Sequence, residues 1–258
     1  MQLDQIGVVI RPRNQWEAID LGFSMIRLWW QPCYKIWFTL ISPVFIATFC
    51  LFLLNENLFW LAAMINWWLK PLFDRLILYF LSQAVFGEQP SIRQTLRTLP
   101  TLLFKTQLGL ALTIRRFDLA RSFNLSVWQL EELRGKIAFE RIKLLQNNTR
   151  KTAVWLTIVC IHFESLLNLS LFLLGYWMIP VSYEVDLVEV IVHAKWWLDM
   201  LSMLFYFLVI SVIEPVYVAA GFALYLNRRT HLEGWDIELA FRRMAARLKM
   251  SNKNQPVS

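Results

Sequence analysis

FLVISVIEPVYVAAGFALYL, residues 207–226, reads as a membrane-spanning run apart from Glu214 and Pro215 near its centre. A carboxylate and a residue with no backbone N–H share the middle of an apolar segment. An ionisable group in hydrocarbon is costly and is a functional hypothesis by default. What surrounds Glu214 therefore decides whether the run crosses a bilayer, merely kinks, or lines a site.

The rest of the chain supports a membrane reading. It has 258 residues, 57% of them hydrophobic and 17% charged, and a mean hydropathy of +0.43. Soluble domains carry about 25% charged residues. The apolar residues cluster in runs near the roughly 17–25 residues that a bilayer demands, and they do not alternate as barrel strands do. The expected fold class is all-α integral membrane, with about four transmembrane helices and amphipathic cytoplasmic helices. The spans fall near 36–54, 58–82, 153–179 and 196–226.

This divides the chain into five segments: a cytoplasmic amphipathic helix (1–35), transmembrane helices one and two (36–86), a basic cytoplasmic helical segment (87–151), transmembrane helices three and four (152–226) and a cytoplasmic amphipathic tail (227–258). No basic leader precedes the first span, which is expected to direct insertion itself. The second span has two readings. It is one long kinked helix, or a half-helix (58–69) followed by an interfacial helix (71–86). Asp74 and Arg75 are adjacent and cannot meet on one helix face, so each needs another partner.

The net charge of +7 is unevenly placed. Lys and Arg crowd residues 1–35, 87–151 and the tail, whereas the links at 55–57 and 180–195 are nearly free of them. The positive-inside rule then puts both termini and the middle segment in the cytoplasm, and the expected location is the bacterial inner membrane. The expected partners are the bilayer, anionic lipid headgroups and other membrane or cytoplasmic proteins. Nucleic acid is not among them, because no recognition motif accompanies the charge. Cys33, Cys50 and Cys160 stand alone, with no spacing for a disulfide framework or a zinc site. No catalytic constellation and no cofactor motif is visible, so a non-enzymatic protein is expected.

Three flanking pieces have amphipathic spacing. Asn14 and Glu17 make a capping box ahead of a stripe of Ile19, Phe23, Ile26 and Trp30, on a helix that lies on the leaflet or packs beneath the bundle. Ser126 and Gln129 repeat the capping pattern ahead of Leu130, Leu133, Ile137 and Leu144. That stripe suits a docking hairpin or a helix on the membrane face. Residues 102–114 suggest a shallow interfacial or re-entrant helix. In the tail, Ile237, Phe241, Met244 and Leu248 form a similar stripe.

The candidate intramembrane polar site is Glu164, Asn168, Asp199, Tyr206, Glu214 and Tyr217. His162 and Glu164 are two apart and point about 200° from each other, so they cannot share a ligand cage. Thr157, Glu164, Asn168 and Gly175 fall on one face, a small and polar stripe suited to helix packing in lipid. Along the fourth span, Trp196, Asp199, Met203, Tyr206, Ile210, Glu214, Tyr217, Gly221, Tyr225 and Arg228 fall within roughly 100°. That face should look into the bundle and the others into lipid. Pro215 removes the donor that would serve the Ser211 carbonyl. A protonated Glu214, Tyr217, Ser211 itself or a water is expected to replace it. Three readings of Glu214 stay open: a satisfied kink, a proton- or ligand-linked site shared with Glu164, and a group beside an aqueous cavity.

Short patches resemble a bacterial membrane family. They are IRPRNQWEAIDLGF (10–23), FGEQP (86–90) and EGWDIELAFRR (233–243). They are similar to the membrane domain found beside glycerophosphodiester phosphodiesterases and to stand-alone multi-pass relatives of it. RSFNLSVWQLEELRGK (121–136) and EPVYVAAGFALYLNRR (214–229) look like inner-membrane proteins of the same type. The resemblance implies location and fold. It does not imply hydrolysis, because the catalytic barrel is a separate domain for which this chain has no room. The function expected first is a scaffold or accessory subunit docking partners through residues 115–150 and the tail. The alternative is a small transporter or lipid-handling protein using the intramembrane carboxylates.

Overall fold

The computed structural model describes residues 11–87, 89–105, 108–178 and 195–234. Every regular element among them is helical. Three helices are long and apolar enough to cross a membrane: Trp30–Leu54, Arg150–Trp177 and Lys195–Glu233. They are α2, α9 and α10 in chain order.

α1 (Gln15–Leu28) starts where Asn14 accepts a hydrogen bond from the Trp16 amide. Glu17 does not close the capping box; it pairs with Arg11 and Arg13 instead. The buried face of α1 is Ala18, Ile19, Gly22, Met25 and Ile26. Phe23 and Trp30 of the expected stripe are exposed, at 52% and 57%. The helix is turned because Gly22 seats it on α10, where even a Cβ would lie 2.4 Å from Ala220 Cα. Close backbone approach through small residues is how apolar helices gain packing without a hydrophobic drive between them. The start of the chain is tied to the same helix: Arg13 N–H donates to Asn227 Oδ1 at 2.9 Å, and Asn227 Nδ2 donates back to the Arg13 carbonyl at 3.0 Å.

α2 begins at Trp30, earlier than the expected Ile36, and runs to Leu54. A short turn at Glu56–Leu58 reverses the chain, with Asn55 Oδ1 accepting from the Asn57 amide. α3 is one continuous helix, Phe59–Val85, passing through Pro71, which decides between the two readings of the second span. Asn66 Nδ2 donates to Thr48 Oγ1 at 2.7 Å and clips α3 to α2. From Lys70 onward almost every α3 side chain is buried, charged ones included.

The segment after α3 breaks into short pieces. These are α4 (Ile92–Arg97), α5 (Leu99–Lys105), α6 (Leu108–Leu112) and a tight turn at Ile114–Phe117. Of the expected 102–114 helix, the parts within Leu99–Lys105 and Leu108–Leu112 are helical, and residues 106 and 107 lie outside the described residues. α7 (Arg121–Leu130) follows Asp118, whose carboxylate accepts from the Ala120 amide at 2.9 Å and from Asn124 Nδ2 at 2.5 Å. Ser126 is therefore inside α7 and fully buried, not a cap. The chain turns at 131–134, with Glu132 at φ 50°, before α8 (Gly135–Gln146). The expected Leu130–Leu144 stripe is split by that turn. α8 buries Ala138, Ile142 and Leu145 and leaves Ile137 and Leu144 exposed.

α9 is Arg150–Trp177, and no residue of its most apolar stretch is buried. α10 (Lys195–Glu233) would extend about 58 Å at 1.5 Å per residue, roughly twice a bilayer core. Its first half leaves Leu208 and Val212 about half exposed. Its second half is buried on every face from Tyr217 to Asn227, enclosed by α1, α7 and α9. The expectation that faces off the polar stripe meet lipid is overturned there. Ala219, Ala220 and Gly221 are small enough to admit helices on opposite sides. The link at 180–195 is described only at Lys195, and the tail stripe from Ile237 to Leu248 lies outside the described residues.

Candidate functional site

Charged side chains from α3, α7, α9 and α10 meet around Glu214. Lys70 Nζ of α3 lies 2.8 and 2.9 Å from the two oxygens of Glu164 on α9, and 3.5 Å from Glu214 Oε2. Glu214 Oε1 accepts from Arg121 Nη2 at 2.7 Å. The same nitrogen is 3.5 Å from Asp74 Oδ2. The result is a chain of alternating sign: Glu164, Lys70, Glu214, Arg121, Asp74. Three members are buried, with side chains only 7% (Lys70), 4% (Glu214) and 2% (Asp74) exposed. Glu164 at 18% and Arg121 at 20% are the more open ones. Alternation lets neighbours offset part of each other's desolvation cost, and the Asp74 and Glu214 carboxyl groups also touch each other directly.

Each helix has a local reason to place its charge here. Arg121 is the first residue of α7, set by the Asp118 turn. Next to it, the Ser122 amide donates to Tyr217 Oη at 3.2 Å, and Tyr217 Oη meets Thr157 Oγ1 of α9 at 3.0 Å. Gly221 lets α7 in, since a Cβ there would lie 2.3 Å from Ser122 Oγ. Burial works against the Arg121 charge, but Asp74, Tyr217 and Glu214 outweigh it and hold its pKa above the ordinary value.

Arg116 has a different task. Pro71 cannot donate to the Trp67 carbonyl one turn earlier. The Arg116 guanidinium donates to that carbonyl, and to that of Trp68 at 3.2 Å, while its carbon lies 3.5 Å from the Trp67 ring centroid. Burial lowers its pKa from the ordinary arginine value.

A cavity of about 530 Å³ opens beside this chain. Lys70, Arg116, Arg121, Glu164 and Glu214 line its charged wall, together with Thr157, Asn168 and Tyr217. Trp67, Phe117, Leu119, Cys160, Ile161 and Ile213 supply apolar surface. Phe117 (73%), Leu119 (51%) and Ile161 (52%) are exposed, so the apolar side of the cavity faces out along α9. Among the described residues no group of His, Cys, Asp and Glu is arranged to hold a metal.

Five of the six expected residues belong to this region. Glu164, Asn168, Glu214 and Tyr217 line the cavity, and Lys70 Nζ lies 5.5 Å from the Tyr206 ring centroid. Asp199 does not belong: it sits about 22 Å from Glu214 along the helix and is only half-buried. The proposed α9 stripe holds at Thr157, Glu164 and Asn168 but ends at Gly175, where a Cβ would meet nothing within 4 Å. His162 keeps apart from Glu164 and bonds its own helix at the Ile158 carbonyl, 2.7 Å away. The kink account of Glu214 also changes. Its carboxylate serves Lys70 and Arg121, Tyr217 Oη serves Ser122 and Thr157, and Ser211 Oγ donates to the Phe207 carbonyl while accepting from Trp37 Nε1 at 3.0 Å. None of the three side chains is turned to the Ser211 carbonyl.

Lys70, Asp74, Arg116 and Arg121 were not expected in the site. Lys70 and Asp74 were visible as charges inside an apolar span. Arg116 and Arg121 were indistinguishable from the other basic residues of their segment. No family model, no curated protein and no solved structure matches this chain.

Proposed function

We propose that the chain is a multi-pass inner-membrane protein that handles lipid, holding the polar head of a membrane amphiphile in the cavity between α3, α7, α9 and α10. One observation carries this reading: a cavity of about 530 Å³ with a charged inner wall and an exposed apolar outer wall. That volume suits a small-molecule site. A head group can enter the charged end while its acyl chains remain in the bilayer.

In this reading α3 is the fourth span. Its charges Lys70 and Asp74 are tolerated because protein groups pair with them, not lipid. Phe52 stacks on Trp196 and packs edge-on against Phe59 at the end of the bundle that holds the 55–58 turn. Measured from that layer, Lys70 lies about 16 Å and Glu214 about 27 Å down their helices. Within a core of roughly 30 Å the ion chain then runs from about the midplane into the far leaflet. That leaflet is the cytoplasmic one if the basic segments lie inside. The resemblance to the membrane domain beside glycerophosphodiester phosphodiesterases agrees with such a location. The scaffold reading drew on the Leu130–Leu144 stripe, which is divided between α7 and α8.

The test is lipid occupancy of the purified protein by native mass spectrometry. Ser165 lines the cavity and is exposed, so Ser165→Trp should fill it without touching the ion chain. The wild type is expected to retain a phospholipid that the variant lacks. Equal occupancy in both would overturn the reading.

A further inference from the structure

The two most open members of the ion chain differ in sign, and both line the cavity. Glu164 is one, and Arg121 is the other. Three contacts in series, of 2.8, 3.5 and 2.7 Å, separate them through Lys70 and Glu214. Arg121 spends its Nη2 on both Glu214 and Asp74, and among the described residues its Nη1 makes no hydrogen bond. Of the other charges in the lining, Asp118 is taken up by the Ala120 amide and Asn124, and Arg116 by the Trp67 and Trp68 carbonyls, so the cavity offers a ligand the Glu164 carboxylate and the Arg121 guanidinium. Lys70 and Glu214 lie behind them, nearly closed off, Lys70 paired with Glu164 and Glu214 with Arg121.

We infer that the cavity selects a zwitterionic phosphoethanolamine head group, its primary ammonium on Glu164 and its phosphate on Arg121. The inference rests on the amphiphile reading above. An anionic glycerol head would satisfy Arg121 but bring only neutral hydroxyls to the Glu164 carboxylate, with no opposite charge. A trimethylammonium head carries the right charge but has no N–H to donate, and hydrogen bonds to charged groups are the stronger kind. The same chemistry could arrive as a free head group. The exposed apolar residues Phe117, Leu119 and Ile161 at the outer side favour the lipid.

The experiment titrates the purified full-length protein with phosphatidylethanolamine, phosphatidylglycerol and phosphatidylcholine, followed by native mass spectrometry. The wild type is expected to bind phosphatidylethanolamine about tenfold or more tightly than the others, the scale of one charge-assisted hydrogen bond. Glu164→Gln should erase that preference while still binding lipid. Should Glu164→Gln not fold, Ser165→Arg sets a guanidinium beside an intact Glu164 and should shift preference towards phosphatidylglycerol. Ser165→Trp should abolish binding of all three. Loss in Ser165→Trp with no head-group preference in the wild type overturns this inference and leaves the amphiphile reading standing. Binding unchanged in Ser165→Trp overturns both. Displacement of the lipid by glycerophosphoethanolamine at equal concentration overturns the lipid source and assigns the chemistry to a soluble ligand.

Discussion

Lys70 Nζ sits 2.8 Å from Glu164 Oε1, joining two helices that are 94 residues apart at this point. α9 otherwise leaves its most apolar stretch unburied, so this pair is one of few fixed points between it and α3. Lipid gives no hydrophobic drive for two apolar helices to associate, which raises the weight of each polar contact. Removing one partner of a buried pair leaves the other charge uncompensated, at about 3–5 kcal/mol. Lys70→Met should therefore lower the thermal unfolding temperature in detergent markedly. Lys70→Met with Glu164→Gln should recover part of the loss. A double variant no better than Lys70→Met would show that Glu214, not Glu164, is the partner that matters.

Arg116 and Pro71 should be coupled. Arg116 caps the Trp67 carbonyl that Pro71 leaves without a donor. Pro71→Ala restores a backbone N–H, so Arg116→Leu should cost less in that background than in the wild type. The expected coupling is about 1 kcal/mol, the size of one hydrogen bond. A double-mutant cycle of unfolding free energies measures it, and additive effects would refute the capping role.

Two glycines should respond in opposite ways to alanine. Gly22 has Ala220 Cα within 2.4 Å of its would-be Cβ. Gly22→Ala must push α1 off α10 and should cost about 1–3 kcal/mol, as overpacking does. Gly175 has open space and sits in a helix interior, so Gly175→Ala should be neutral or stabilising by up to about 1 kcal/mol. Thermal unfolding of the two variants side by side checks both.

Sidedness is testable by labelling. With Cys33, Cys50 and Cys160 replaced, a cysteine at exposed Asn57 should react with an impermeant maleimide added to intact spheroplasts. A cysteine at exposed Lys136 should react only after lysis. Labelling of both before lysis would refute the proposed orientation.

Much of the fold was legible from local pattern. Helix existence, the apolar runs and the inward stripe from Met203 through Glu214 to Tyr225 follow from residue type and a 3.6-residue period, which nearest neighbours on one chain determine. The errors occur where other helices intervene. Phe23 fits the α1 stripe as well as Gly22 does, yet the close seat on Ala220 turns Gly22 inward. Ser126 reads as a cap until the Asp118 turn starts the helix earlier. Asp199 shares a face with Glu214 but lies too far along the helix to share its partners.

The sequence by itself determined that this is a helical chain with membrane-length apolar runs and carboxylates on their inward faces. Periodicity and composition are local properties, and they carry that much. Only the tertiary structure decided which cations meet those carboxylates. Glu214 pairs with Arg121, 93 residues away, and Glu164 with Lys70. Nothing in the spacing along the chain distinguishes Arg121 from the other basic residues around it. Its role comes from Gly221 and Tyr217, which draw the start of α7 against α10 and bring a half-buried cation between the buried carboxylates of Glu214 and Asp74.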